Sequence, residues 1–263
     1  MARATSPATR HTNWLHTLFI VLSLLAIAAS EWAFVYSDIS YGIVAALCTT
    51  VGIYLVVSLA RMPQGVADCA ESLALVPLYI LLTASLPWFF VNRTLILPAV
   101  YAVVLGLCLW HIYSKKLPFT EVGLRHERWA RYSVIGAVVA IPLGITEFYV
   151  LGLKPSFPVF NLSYLLRDLF YMLFFVGLGE EVLFRGIIQR NLMNAFGTGW
   201  GLFLASALFS IMHLGWHSVP ELGFTFAIAL LLGYLYWRSG SLVGPIVIHG
   251  VANTVLVAVM PYI

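Results

Sequence analysis

The stretch Phe174-Phe175-Val176-Gly177-Leu178-Gly179-Glu180-Glu181-Val182-Leu183-Phe184-Arg185-Gly186-Ile187-Ile188 decides the fold class. It closes an apolar run that begins at Leu162 and does not alternate apolar with polar residues. The run therefore predicts a long helix and not a strand of an outer-membrane barrel. Its length suits a bilayer crossing, for which ~20 residues suffice. Yet two adjacent carboxylates and an arginine lie inside it, and charges at membrane depth are expensive unless they face a cavity or a partner.

Eight further apolar runs surround this one: Trp14–Ala29, Ile39–Ala60, Ser72–Phe90, Leu95–Tyr113, Tyr132–Val150, Trp200–Leu214, Leu222–Trp237 and Leu242–Met260. Tryptophans, among them Trp14, Trp88, Trp110, Trp200 and Trp237, stand near the run ends, as an aromatic belt predicts. The chain of 263 residues is 61% hydrophobic and 10% charged, against ~45–50% and ~25% in an average soluble protein. This composition excludes a soluble globular domain and a disordered chain. The reading is all-α, a polytopic membrane protein of about 8–9 transmembrane helices. Cys48, Cys69 and Cys108 are scattered and form no disulfide framework or thiol metal site. A formal charge of +3 is too small to imply nucleic-acid binding.

The first run reads as a retained helix in preference to a cleaved signal peptide, because a long polar lead and eight more runs accompany it. With a cytoplasmic N-terminus, nine crossings place Arg3, Arg10, Arg61, Lys115, Lys116, Arg125, Arg128, Arg131, Arg190 and Arg238 inside. Only Arg93, Lys154 and Arg167 fall outside, and Arg185 completes the 14 basic residues within its helix. This bias fits an inner or plasma membrane protein with its N-terminus in the cytoplasm. Glu31, Asp38 and Glu221 are expected in the external loops. The hydrophilic interruption 114–131 separates helices 1–113 from a second half, 132–263, that holds the unexpected polar residues.

Helix geometry separates the roles of the two glutamates. Glu181 and Arg185 are one turn apart and can pair. Glu180 points ~100° away and is left without that partner, free for proton transfer. Two more apolar helices carry polar residues at one-turn spacing: Phe209 with His213, and His249 with Asn253. Simpler readings exist for each: an interfacial salt bridge, a core histidine, a polar contact between helices. One pocket holding Glu180, His213, His249 and Asn253 would satisfy all three helices, do acid–base chemistry on water and donate to an oxyanion. His217 follows His213 by one turn, but Leu214 stands where a zinc-protease helix has its glutamate. No GxSxG serine motif occurs.

In this order on successive helices, Glu180-Glu181-x-x-x-Arg185, Phe209-x-x-x-His213 and His249-x-x-x-Asn253 resemble the motifs of the CPBP family, the CAAX-protease and bacteriocin-processing intramembrane proteases. The resemblance covers roughly residues 118–260, including the lead-in Glu121-Val122-Gly123-Leu124. It implies a conical catalytic helix bundle in the second half and a glutamate-dependent endopeptidase. Glu180 would activate water with His213, His249 and Asn253 would form the oxyanion hole, and Glu181, Arg185 and Phe209 would orient them. No cofactor is expected. Were zinc used, Glu180, His213 and His249 would be its ligands, but Asn253 suits an oxyanion better than zinc. The implied partner is the membrane and a membrane-anchored protein or peptide, such as a sorting helix or leader peptide. A bacteriocin-immunity factor or scaffold of the same fold has no need of all four polar residues. A proton-coupled transporter would show repeated halves, and none are found. The pocket is expected to open toward the cytoplasm, with Gly177, Gly179, Gly186 and Gly250 leaving room for substrate.

Overall fold

A computed structural model describes residues 14–85, 91–125, 127–156 and 158–263. The N-terminal basic residues and Trp88 lie outside these. Among the described residues the chain forms nine helices long and apolar enough to cross a membrane, and no strand. They are α1 (Trp14–Tyr36), α2 (Ile39–Leu59), α3 (Gln64–Ala84), α4 (Arg93–Ser114), α5 (Trp129–Leu151), α6 (Leu162–Phe196), α7 (Thr198–Trp216), α8 (Val219–Ser239) and α9 (Val243–Tyr262). The chain is an integral membrane protein, all-α as its apolar runs predict.

Most helices run past the ends of their apolar runs, because caps and turn residues set the boundaries. Asp38, Asn92 and Asn161 each accept a backbone N–H two residues on, and Ser218 accepts that of Glu221. These side chains satisfy orphan donors at the starts of α2, α4, α6 and α8. Gly197, at φ 82, ends α6 and turns the chain into α7, a conformation that glycine alone adopts cheaply. The extension of the helices corrects two sequence expectations. Glu31 lies within α1 and is 7% exposed, and Glu221 lies in the first turn of α8 and is fully buried. Neither is in an external loop.

The two halves of the chain share one core. Ile20, Leu73 and Val104 from the first half pack in the same cluster as Val182, Ile187 and Leu208 from the second. Polar links tie the helices and the intervening loop together at the end of the bundle that carries the basic loops. Lys115 pairs with Asp68 at 2.9 Å and with Glu71. Asn191 donates to the Asp68 carbonyl, and Arg190 pairs with Glu121 at 2.5 Å. The loop 114–131 is fastened to α9 by the Leu242 N–H, which donates to the Gly123 carbonyl.

Candidate active site

The glutamates occupy a short α-helical segment, Leu178–Glu181, between two wider π-helical stretches, Met172–Gly177 and Val182–Gln189. Such stretches re-aim side chains along a helix and are frequent at functional sites. The second stretch is buried throughout. Arg185 is 1% exposed, pairs with Glu181 at 2.8 Å and reaches the Ala229 carbonyl of α8. One turn on, Gln189 donates to the Gly233 carbonyl at 3.0 Å. Two side chains a turn apart on α6 thus grip two carbonyls a turn apart on α8.

Glu181 is fully buried, and its Oε1 also accepts from His249 Nδ1 at 2.9 Å. The other nitrogen of that ring, Nε2, lies 3.6 Å from Glu180 Oε2. His249 therefore stands between the two glutamates. Phe209 supports this group from α7. The Arg185 guanidinium lies over its ring at 4.3 Å, and the rings of His213 and His249 approach it at 4.6 and 6.0 Å. Phe184 meets it edge-on at 5.0 Å. His213 Nδ1 donates to the Phe209 carbonyl at 2.9 Å. That bond fixes the tautomer in which Nε2 keeps its lone pair.

Glu180 is not the partnerless carboxylate that helix geometry alone suggests. Tyr101 of α4 donates a hydroxyl hydrogen bond to its Oε1. Its Oε2 is buried without a hydrogen-bond partner. Glu180 and His213 line a cavity of about 390 Å³ together with Tyr79, Val100, Tyr101, Val104, Leu183, Phe184, Met212, Gly215 and Trp216. Four of these residues come from α3 and α4, in the half that sequence motifs leave unassigned. A tyrosine in an apolar run looks like any other aromatic there, so only its position beside Glu180 marks Tyr101.

The four polar residues do not line a single cavity. Asn253 and His249 line a second, smaller space of about 40 Å³ with Glu147, Phe209 and Thr225. His213 lines both spaces, so its ring, tilted at 36° against Phe209, lies at the partition between them. Glu147 was not signalled by any motif, and its side chain neighbours Glu221. Among the described residues no three His, Cys, Asp or Glu side chains converge as a metal site. Glu180, His213 and His249 thus do not form such a group.

The glycines act differently from expectation. A Cβ on Gly250 would lie 2.8 Å from Leu173 Cα, and one on Gly177 would lie 2.9 Å from the Ile246 carbonyl. Gly186 faces the Val122 carbonyl just as closely. These residues let backbones approach and leave no room for substrate. Gly179 alone of the four faces the cavity wall, near Tyr101 and Val104.

The helices also set the end of the bundle at which the cavity has its rim. From Glu180, α6 continues past Leu183 and Phe184 toward Arg190 at the basic end. Leu183, Phe184 and Val104 are 2–3% exposed and close the cavity on that side. The antiparallel α7 runs the other way, from His213 to Gly215 and Trp216, both exposed. The next residue, His217, meets Tyr36 at the far end of α1, ring to ring at 5.0 Å. The rim is therefore at the end of the bundle opposite the basic loops.

Residues 162–255, from the start of α6 into α9, match the family model described as type II CAAX prenyl endopeptidase Rce1-like. No curated protein and no solved structure matches the chain. The matched segment contains all three motifs, and the family is one of proteases. Residues 162–255 are thus similar to the type II CAAX prenyl endopeptidase Rce1-like family, in the segment that carries the three motifs.

Proposed function

We propose that the protein is an intramembrane endopeptidase in which Glu180 and His213 activate the attacking water. The observation that carries this reading is the Glu180 carboxylate itself. Tyr101 holds its Oε1, while its buried Oε2 has no hydrogen-bond partner beside a cavity large enough for water and shared with His213. A water placed between Glu180 and His213 gives one hydrogen bond to the His213 Nε2 lone pair and loses its other proton to Glu180 Oε2 as its oxygen bonds to the scissile carbonyl carbon. The carbonyl π electrons move to oxygen, giving a tetrahedral oxyanion. When the intermediate collapses, the C–N bond breaks and the proton passes to the leaving amine.

His249 is the nearer oxyanion donor. Its Nδ1 already donates to Glu181, so Nε2 can donate only when the ring carries both protons. With Glu180, Glu181 and Arg185 ionised, such a ring brings the group to zero net charge. Asn253 lies one turn from His249 on α9 and lines the adjoining smaller space, from which it backs the oxyanion donor. Glu181 and Arg185 are positioning residues, since they act through His249 and the helix. The substrate enters as an extended segment of a membrane-associated polypeptide, because a helix hides its carbonyls in its own hydrogen bonds.

Proteomics of membrane and secreted fractions from cells with wild-type protein or Glu180→Ala tests this reading. An uncut polypeptide that accumulates only with Glu180→Ala is the expected result. Identical fractions would overturn the reading.

A further inference from the structure

We infer that the catalytic cavity is entered from the extracytoplasmic side, and that its substrate is a membrane-anchored polypeptide already exported across the membrane. This rests on the peptidase reading for the substrate, but the side of entry stands on geometry and charge alone. The basic residues of the chain crowd one end of the bundle, where Lys115, Lys116, Arg125, Arg128, Arg131 and Arg238 lie. By the positive-inside bias that end is cytoplasmic. On that side of Glu180 the cavity is shut by Leu183, Phe184 and Val104. Roughly 15 Å of helix separates Glu180 from Arg190.

The opposite end is stepped. The α6 helix extends from Glu180 out to Leu162, roughly 27 Å at its rise per residue. In contrast, α7 stops at Trp216, only a turn beyond His213, and its tip meets the tip of α1 through His217 and Tyr36. Exposed Gly215 and Trp216 form the cavity rim at that end. Water and a peptide that enter at this rim reach Glu180 through the cavity it lines. Apart from Glu180 and His213, the walls are aromatic or aliphatic, including Tyr79, Val100, Met212 and Trp216. Such walls accept an extended, uncharged stretch next to a membrane anchor. A prenylated cytosolic C-terminus would arrive on the closed side.

The test uses single-cysteine reporters in the full chain. Cys48 is replaced by alanine, while Cys69 and Cys108 are buried and stay. Gly215→Cys reports the rim, where an added Cβ meets nothing within 4 Å. Glu127→Cys reports the exposed basic loop, and Trp216→Cys is a second rim reporter should the glycine variant fold poorly. A membrane-impermeant maleimide added to intact cells is expected to label the rim cysteine and to leave Glu127→Cys unlabelled until the cells are opened. Labelling of Glu127→Cys alone would overturn the inference. So would a rim cysteine that reacts only after the cells are opened. The substrate is read separately, as the polypeptide left uncut in Glu180→Gln cells. If it is a cytosolic C-terminus, the inference fails and the peptidase reading survives. If nothing is left uncut, the peptidase reading fails, whichever side the maleimide labels.

Discussion

The two ends of the bundle are held together by different means. At the basic end, ion pairs and hydrogen bonds join separate elements: Lys115 to Asp68 and Glu71, Arg190 to Glu121, Asn191 to Asp68, and the Gly123 carbonyl to Leu242. At the opposite end the helices starting there, α2, α4, α6 and α8, carry their own side-chain caps, and separate elements meet through hydroxyl and ring contacts: Ser30 with Thr49, Ser210 with the Leu222 carbonyl, and Tyr36 with His217. Cross-links fix helices relative to one another, whereas caps stabilise each helix without tying it to the next. The floor of the cavity beside Glu180 lies toward the cross-linked end and its rim lies at the capped end. The comparison teaches that the ion pairs joining separate elements gather at the end of the bundle away from the cavity rim.

Removing the charge that anchors the floor is the harshest way to break this difference. Arg185→Leu leaves the Glu181 carboxylate buried, with His249 as its remaining hydrogen-bond partner among the described residues, at a cost of about 3–5 kcal/mol. Low abundance and a depressed melting temperature in detergent are expected. A variant as stable as wild type would mean that Arg185 does not anchor the floor. Tyr101→Phe probes the wall of the mouth more gently. It removes one hydroxyl and keeps the ring, so stability and KM should hold while kcat falls. A hydrogen bond to a charged group is worth about 1.5–3 kcal/mol, or roughly a 10- to 100-fold loss of rate. Unchanged kcat would show that Glu180 is positioned without Tyr101.

Lys115→Ala sharpens the comparison from the other end and has the smallest effect. Burial works against the charge on Lys115, but hydrogen bonds to Glu71 and Asp68 outweigh it and hold its pKa above the ordinary lysine value. A raised folded pKa contributes stability that is fully present below the unfolded value and is lost as pH rises through the folded one. The pair therefore stabilises at every neutral pH, and only alkaline solution releases it. Since the group is partly solvated, its loss should cost no more than about 1 kcal/mol. Cleavage by Lys115→Ala should match wild type, and the gap in melting temperature between the two should close at strongly alkaline pH. A large loss of cleavage would show that the clamped end takes part in the chemistry.

The apolar runs made the helices legible because a bilayer crossing needs length and apolarity, and both can be read from sequence. The Glu181–Arg185 pair was legible for the same kind of reason, since one-turn spacing is a local rule. The wall supplied by Tyr79 and Tyr101 was not, because it depends on which helices become neighbours. The partition made by His213 and Phe209 depends on ring orientation, which spacing does not encode. Glu221 stands near a run end and reads as a loop residue, and only packing shows it fully buried. The glycines misled because a small residue serves equally to open a space or to bring two backbones together. Here Gly177 and Gly250 do the second.

The most direct test of glutamate-dependent proteolysis compares purified wild type with Glu180→Gln in lipid nanodiscs. Both receive the polypeptide that accumulates in mutant cells. The amide keeps the shape of the side chain and its acceptor for Tyr101, so the two proteins should melt at the same temperature. The wild type should cut the substrate and Glu180→Gln should leave it intact. Cleavage by Glu180→Gln at the wild-type rate would contradict the assignment of Glu180 as the base.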